Sequence, residues 1–108
     1  MHANARLASS LGVALALSST GPAQAQADKA FGQYLSSECV TCHQLTGRSE
    51  GIPSIVGWPE RRFVAIMDDY RQKRRANPIM QTIARRFSDQ EIAALAAYFA
   101  NVTAENRK

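Results

Sequence analysis

The residues that could carry chemistry in this chain are concentrated in the stretch SSECVTCHQLTG, residues 36–47. It contains both cysteines, Cys39 and Cys42, and His43 directly follows the second one. A C-x-x-C spacing is used by a disulfide, a zinc site, a redox dithiol and a covalently attached haem. The rest of the sequence must discriminate among these four possibilities.

Three of the four possibilities fit the chain poorly. A disulfide between Cys39 and Cys42 would close a very small loop, and disulfide stabilisation grows with loop size. A structural zinc ion takes four ligands, and the sequence offers no second Cys/His pair. A thioredoxin-like dithiol accompanies a βαβ pattern, which is missing here. The motif C-x-x-C-H favours c-type haem, because two thiols can bond the porphyrin vinyl groups while the histidine ligates the iron.

Residues 1–27 are typical of a secretory signal peptide. Arg6 supplies a positive charge, LASSLGVALALS is a short apolar run, and GPAQAQA offers cleavage after Ala25 or Ala27. The apolar run is far shorter than the roughly 20 residues that cross a bilayer, so we expect no membrane span in the mature chain. A membrane-anchoring helix is the less favoured alternative. The predicted location is therefore the periplasm.

The predicted mature domain, residues 28–108, has 81 residues. A chain of that size has a marginal core and usually needs a disulfide, a metal or another staple. A large apolar cofactor would meet this need better than a disulfide across so short a loop. Composition and length therefore agree with one bound haem.

Basic residues outnumber acidic ones in this domain, 12 to nine, which gives a formal net charge of about +3. Their clustering is explained equally well by a docking surface for an acidic protein and by an ordinary solvated helix face. An exported chain without an aromatic-rich basic groove is not expected to bind nucleic acid. The clustered residues are Arg61, Arg62, Arg71, Lys73, Arg74, Arg75, Arg85 and Arg86.

Three helices are predicted, over residues 28–38, 59–76 and 88–102, and no segment resembles a strand. Pro59 suits the first position of the second helix, and Ser88 with Glu91 forms a capping box for the third. The predicted buried positions are Phe31, Tyr34 and Leu35 in the first helix, Phe63, Ile66, Met67 and Tyr70 in the second, and Ile92, Leu95, Ala96 and Phe99 in the third.

Two methionines of the mature chain could provide the second axial ligand of the iron. Met67 lies on the apolar stripe of a predicted helix, where packing explains it. Met80 lies in RANPIMQTIA, predicted as a loop between two helices, and is the preferred ligand. Binding by both His43 and Met80 would close the iron and suit electron transfer. A displaceable Met80, which would permit a catalytic haem, is a less favoured alternative.

The order of these segments resembles that of class I c-type cytochromes over residues 30–102. The resemblance implies an all-α fold of three to four helices wrapped around one covalently attached haem. It also implies that Gly32 packs against Leu95 and Tyr98 where the terminal helices cross. Pro53, in GIPSIVG, would accept the Nδ1–H of His43 through its carbonyl, unless it is only a turn residue. Trp58 would either bond a haem propionate or merely pack.

A narrower resemblance is to the cytochrome subunits of flavocytochrome c sulfide dehydrogenases. It is carried by IPSIVGWPERRFVAIMDDYRQ, NPIMQTIA and SDQEIAALAAYFA. The resemblance implies a flavoprotein partner that oxidises sulfide and passes electrons to the haem. Several such subunits are doubled chains with two haems, whereas this sequence has one motif. Both a fixed enzyme subunit and a mobile carrier that serves a terminal oxidase or another acceptor remain compatible with the sequence.

Overall fold

The computed structural model of the chain describes residues 2–3, 8–17, 22–47 and 51–103. These residues contain helices and no strand, so the predicted all-α class is confirmed. The described part has five helices instead of three to four, because a separate short helix forms at residues 37–40, at the end of the first predicted helix, and another at residues 78–84, where a loop was predicted. In chain order they are α1 (Pro22–Leu35), α2 (Ser37–Val40), α3 (Glu60–Arg71), α4 (Pro78–Ala84) and α5 (Asp89–Ala100).

Helix α5 is the centre of the fold, and α1 and α3 both pack against it. The predicted capping box is confirmed: the Ser88 hydroxyl accepts from the backbone N–H of Glu91, whose side chain accepts from the Ser88 N–H. This exchange satisfies two N–H groups that the first turn of a helix otherwise leaves unpaired. The predicted buried stripe is also confirmed, at Ile92, Leu95, Ala96 and Phe99.

Helix α3 contributes the second side of the core. Phe63 and Met67 are buried, and the Phe63 ring stacks on that of Phe99 with centroids 5.7 Å apart. Ile66 and Tyr70, also predicted as buried, are only half-buried. Pro59 is the N-cap residue and not the first helical residue, because its ψ of 135° is extended.

The crossing of α1 and α5 depends on Gly32. A Cβ added at this position would overlap the carbonyl oxygen of Ala94 and lie 2.8 Å from the Cβ of Tyr98. The predicted contact with Tyr98 is present, while the nearest backbone belongs to Ala94 and not to Leu95. Only glycine lets the two helix backbones approach this closely.

Replacing Gly32 by alanine is expected to destabilise the protein by about 1 to 3 kcal/mol, because the added methyl must push the helix backbones apart. The higher helix propensity of alanine offsets only part of this loss. Thermal unfolding of the holoprotein measures the effect. Gln33→Ala is the matched control, since Gln33 is exposed on the same helix. Equal melting temperatures for the two variants would contradict a tight crossing.

The rest of α1 departs from the prediction. The helix begins at Pro22, six residues before the predicted start. Phe31 is 39% exposed and Tyr34 is 78% exposed, so neither is buried as predicted. Because Gly32 faces α5, positions three and four residues later share that face. These positions are Leu35, which is half-buried, and Ser36, which is buried, whereas Tyr34 points away.

The predicted signal segment contributes little to this fold. Residues 8–17 have no regular secondary structure, and Leu11, Val13, Leu15 and Leu17 are all at least 86% exposed. Arg6 and the alanine side chains at the predicted cleavage site lie outside the described residues. Among the helices that the structure describes, none combines the length and apolar character needed to cross a bilayer.

Candidate haem-binding site

The cysteines and the histidine of the C-x-x-C-H motif lie in one tight turn. Cys39 belongs to α2, and its carbonyl oxygen accepts from the N–H of Cys42 at 3.1 Å and from that of His43 at 2.7 Å. The motif therefore continues the helical path beyond Val40, where α2 ends. Cys39, Cys42 and His43 therefore lie on the same short, helically wound segment of the chain.

The two thiols have different environments. Both cysteines are free, with Cys39 buried and Cys42 exposed. Burial, with smaller contributions from Glu38 and Cys42, raises the pKa of the Cys39 thiol to about 11. A redox-active dithiol relies on a thiolate with a lowered pKa. Cys39 is a protonated thiol at neutral pH, which does not favour dithiol chemistry.

The imidazole of His43 is held by the loop that follows the motif. Its Nδ1 lies 2.7 Å from the carbonyl oxygen of Pro53. A carbonyl oxygen can only accept, so Nδ1 carries the proton and Nε2 has the free lone pair that a metal requires. No hydrogen bond to Nε2 is found within the described residues. A hydrogen bond of this kind fixes the tautomer and the ring orientation of histidines that bind metals.

The loop that carries Pro53 is anchored to the core. Ile55 is buried, and the N–H of Gly57 donates to the carbonyl oxygen of Phe99 at 2.9 Å, at the end of α5. Gly57 has a φ of +76°, which a residue with a side chain rarely adopts. The position of the Pro53 carbonyl is thus linked to the central helix of the fold.

Met80 lies on a helix and not on a loop, contrary to the prediction. Pro78 occupies the first turn of α4, where its missing N–H has no cost. Asn77 is the N-cap, and its side chain accepts from the N–H of Met80 at 3.1 Å. The pattern Asn-Pro is itself a helix-start signal, and it could have revealed both α4 and Asn77.

The two candidate methionines differ in burial. Met67 is 4% exposed inside the core, whereas Met80 is partly buried and packs against the edge of that core. A buried methionine fills irregular gaps between the apolar side chains of a core. Met80 is the one that remains accessible to a bound group.

Trp58 is half-buried, and the guanidinium carbon of Arg62 lies 4.4 Å from the centroid of its ring. This is a cation–π contact. Arg62 was predicted only as a member of the basic cluster. The contact places a cation beside the indole, so Arg62 and Trp58 together could bind an anionic group such as a propionate.

The described residues leave an apolar surface that a large apolar cofactor could cover. Several apolar side chains beside the core are only partly covered by the protein, and they come from the segment around the motif, the following loop and α4. A planar apolar cofactor would cover such surfaces. No three His, Cys, Asp or Glu side chains in the described ranges are grouped to hold a metal ion, so the zinc alternative has no support there. The partly covered side chains include Val40, Leu45, Val56, Trp58, Met80 and Ile83.

Much of the basic cluster is engaged in contacts within the protein. Arg74 pairs with Asp68 and Asp69, and Arg75 lies over the Tyr70 ring. These contacts support the interpretation of this part of the cluster as an ordinary solvated face. Two further pairs join different elements: Arg71 with Asp89, and Arg86 with Glu38 beside Cys39.

Known proteins share this sequence pattern. The family model described as Cytochrome c matches residues 27–103. Cytochrome c4 of Pseudomonas aeruginosa is 36% identical over 89 residues, which cover 81% of this chain and 44% of that relative. The cytochrome subunit of sulfide dehydrogenase of Chlorobaculum tepidum is 33% identical over 92 residues, which cover 81% of this chain and 84% of that relative.

A third relative is the thiosulfate dehydrogenase electron acceptor of Stutzerimonas stutzeri, 40% identical over 70 residues. That match covers 60% of this chain and 32% of the relative. The chain therefore spans less than half of two of these relatives and most of the third.

Proposed function

The chain belongs to the cytochrome c family as a class I c-type cytochrome with covalently bound haem c, and we propose that it transfers electrons through a single such haem in the periplasm. Cys39 and Cys42 would form the thioether bonds to this haem, and His43 and Met80 would supply the two protein ligands of its iron. The observation that carries this proposal is the 2.7 Å contact between Nδ1 of His43 and the Pro53 carbonyl. It leaves Nε2 available as the ligand.

The protein's contribution is to bind and orient. When bound, the haem supplies a one-electron redox centre, and ligation by histidine and methionine raises its potential. The loop anchored at Gly57 holds the Pro53 carbonyl, and this carbonyl orients the ligating ring of His43. Ligation by both His43 and Met80 would leave the iron no free position for a substrate. We therefore assign the chain electron transfer and no catalytic reaction of its own.

Two side chains are assigned to the cofactor's polar edge. We propose that the indole N–H of Trp58 donates to a haem propionate, and that Arg62 supports it by charge. The positive charge of Arg62 beside the indole, with the guanidinium carbon 4.4 Å from the ring centroid, favours a carboxylate site over packing alone. Pro53 and Trp58 are thus the residues that support the cofactor without ligating the iron.

Export through the predicted signal peptide completes the proposal. The exposed leucines and valine of residues 8–17 take no part in the hydrophobic core, as expected for a segment that is removed. Cleavage after Ala27 would retain the part of α1 that crosses α5 at Gly32. The mature domain can then keep the helix crossing without the segment before it.

The proposed electron donor is a flavoprotein that oxidises sulfide. Support comes from the cytochrome subunit of sulfide dehydrogenase, since this chain covers 84% of its length and so corresponds to nearly the whole subunit. The alternative is a free-standing carrier that delivers electrons to a terminal oxidase or another acceptor. It is favoured by the similarity to a thiosulfate dehydrogenase electron acceptor, whose name describes a protein that accepts electrons from a dehydrogenase.

Gentle purification from the periplasm of the source cells tests this proposal. We expect a haem c absorption spectrum, together with bound flavin and a larger polypeptide at a fixed ratio. A chemical cross-linking step before dilution is the control for a weak complex. A lone haem protein of monomer size, even after cross-linking, would contradict the subunit and favour the carrier. Recovery in the cytoplasmic fraction with an uncleaved N-terminus would contradict export.

A further inference from the structure

Helix α4 needs support at its N-terminus. It has only seven residues, and helices this short are not stable in isolation. Its first N–H groups have no partner within the helix. One of them belongs to Met80, and the side-chain oxygen of Asn77 accepts from it at 3.1 Å. The cap is therefore bonded directly to the residue that we assign as an iron ligand.

The segment before α4 is tied to the same turn by further bonds. The backbone carbonyl of Asn77 accepts from the N–H of Gln81 at 2.9 Å. The side-chain amide of Gln81 in turn donates to the carbonyl oxygen of Arg75 at 3.0 Å. Pro78 fixes the backbone of the first helical position. Met80 thus lies in a turn that is fixed by hydrogen bonds of Asn77 before it and of Gln81 after it, and Asn77 is the residue bonded directly to Met80.

We propose that Asn77 is a positioning residue for the iron ligand: its side-chain cap fixes the N–H of Met80 and thereby holds the thioether in its ligating position. This inference rests on the proposed ligation of the iron by Met80. Under this proposal, displacement of Met80 from the iron loosens the first turn of α4 and breaks the cap. The cap therefore stabilises the ligated state relative to the displaced state.

Displacement of Met80 by imidazole in the ferric holoprotein tests the proposal. Imidazole competes for the iron, and the loss of the weak red-region band of methionine-ligated ferric haem reports displacement. We expect Asn77→Ala to bind imidazole about fivefold more tightly than the unaltered protein, the factor that corresponds to loss of a typical N-cap. Asn77→Asp, which keeps a capping oxygen, is expected to restore the original affinity.

Ser88→Ala is the matched control, because Ser88 caps α5 by the same kind of bond, to Glu91. It should lower the melting temperature as Asn77→Ala does, yet leave imidazole affinity unchanged, since α5 does not carry the ligand. Asn77→Gln keeps the side-chain amide, but its side chain is too long to place the oxygen in the capping position. This variant is therefore expected to behave like the alanine variant. It provides a second test should Asn77→Ala fold poorly.

The outcomes separate this inference from the proposal on which it rests. A red-region band in the unaltered protein, with an imidazole shift for Asn77→Ala and none for Ser88→Ala, supports a positioning role. The same band with no shift, or with equal shifts in both variants, overturns that role and leaves the ligation by Met80 intact. Absence of the band from the unaltered protein overturns the ligation itself and the positioning role with it.

Discussion

Simultaneous replacement of Cys39 and Cys42 by alanine is expected to reduce covalently bound haem to near zero. The thioether bonds have no other source, because these are the only cysteines in the chain. Each single replacement leaves one sulfur atom and is expected to lower the yield without abolishing attachment. Haem staining after denaturing electrophoresis, together with the mass of the intact chain, measures the attached fraction directly.

Thr41→Ala is the matched control for this experiment. Thr41 lies between the two cysteines and is exposed, and its hydroxyl donates to the carbonyl oxygen of Ser37. The substitution keeps the C-x-x-C-H spacing, so full haem attachment is expected. A protein that lacks both cysteines and still carries covalent haem would refute the assignment of the thioethers. If the Thr41→Ala variant also lacked haem, the loss of haem from the cysteine variants could not be attributed to the missing sulfur atoms.

The double cysteine replacement should also reveal how far the fold depends on its cofactor. Several apolar side chains, among them Leu45, Val56 and Ile83, are only partly covered by the protein. Without a bound group, these surfaces face water, and burial of apolar area is the main favourable term in folding. We expect the haem-free protein to unfold at a lower temperature than the holoprotein.

The features that could be predicted from sequence are those that depend on local spacing. The capping box at Ser88 and Glu91 and the buried stripe of α5 depend on periods of three and four residues, and both are confirmed. The attachment motif is likewise local, since Cys39 and His43 are joined within one turn. No tertiary contact is needed to recognise any of these features.

The features that could not be predicted depend on tertiary contacts. The family resemblance predicted a helix crossing at Gly32, but the periodicity did not predict which face of α1 is buried, because that face is decided by the approach of Gly32 to Ala94. Hydrophobicity alone favoured Phe31 and Tyr34, which the structure leaves exposed. The link between Gly57 and Phe99 joins residues 42 positions apart, so no local pattern could reveal it. α4 is different, because Asn77 and Pro78 gave a local signal that was assigned to a loop.

Met80→Ala is expected to remove the weak red-region band of the ferric protein and to lower its reduction potential. Methionine ligation raises the potential of a haem by favouring the reduced iron, so its loss shifts the balance toward the oxidised iron. The fall should be on the order of 0.1 V or more, within the roughly 0.8 V over which axial ligands tune haem potentials. Absorption spectroscopy and a redox titration of the same sample give both values.

Met67→Ala is the matched control, because both variants remove one methionine side chain from neighbouring helices. Met67 is 4% exposed in the core, so its truncation leaves a cavity. We expect it to cost about 2 to 5 kcal/mol of stability while the band and the potential stay unchanged. The two variants therefore separate ligation from packing. If Met67→Ala loses the band and Met80→Ala keeps it, then Met67 is the ligand, and the proposed roles of α4 and Asn77 are wrong.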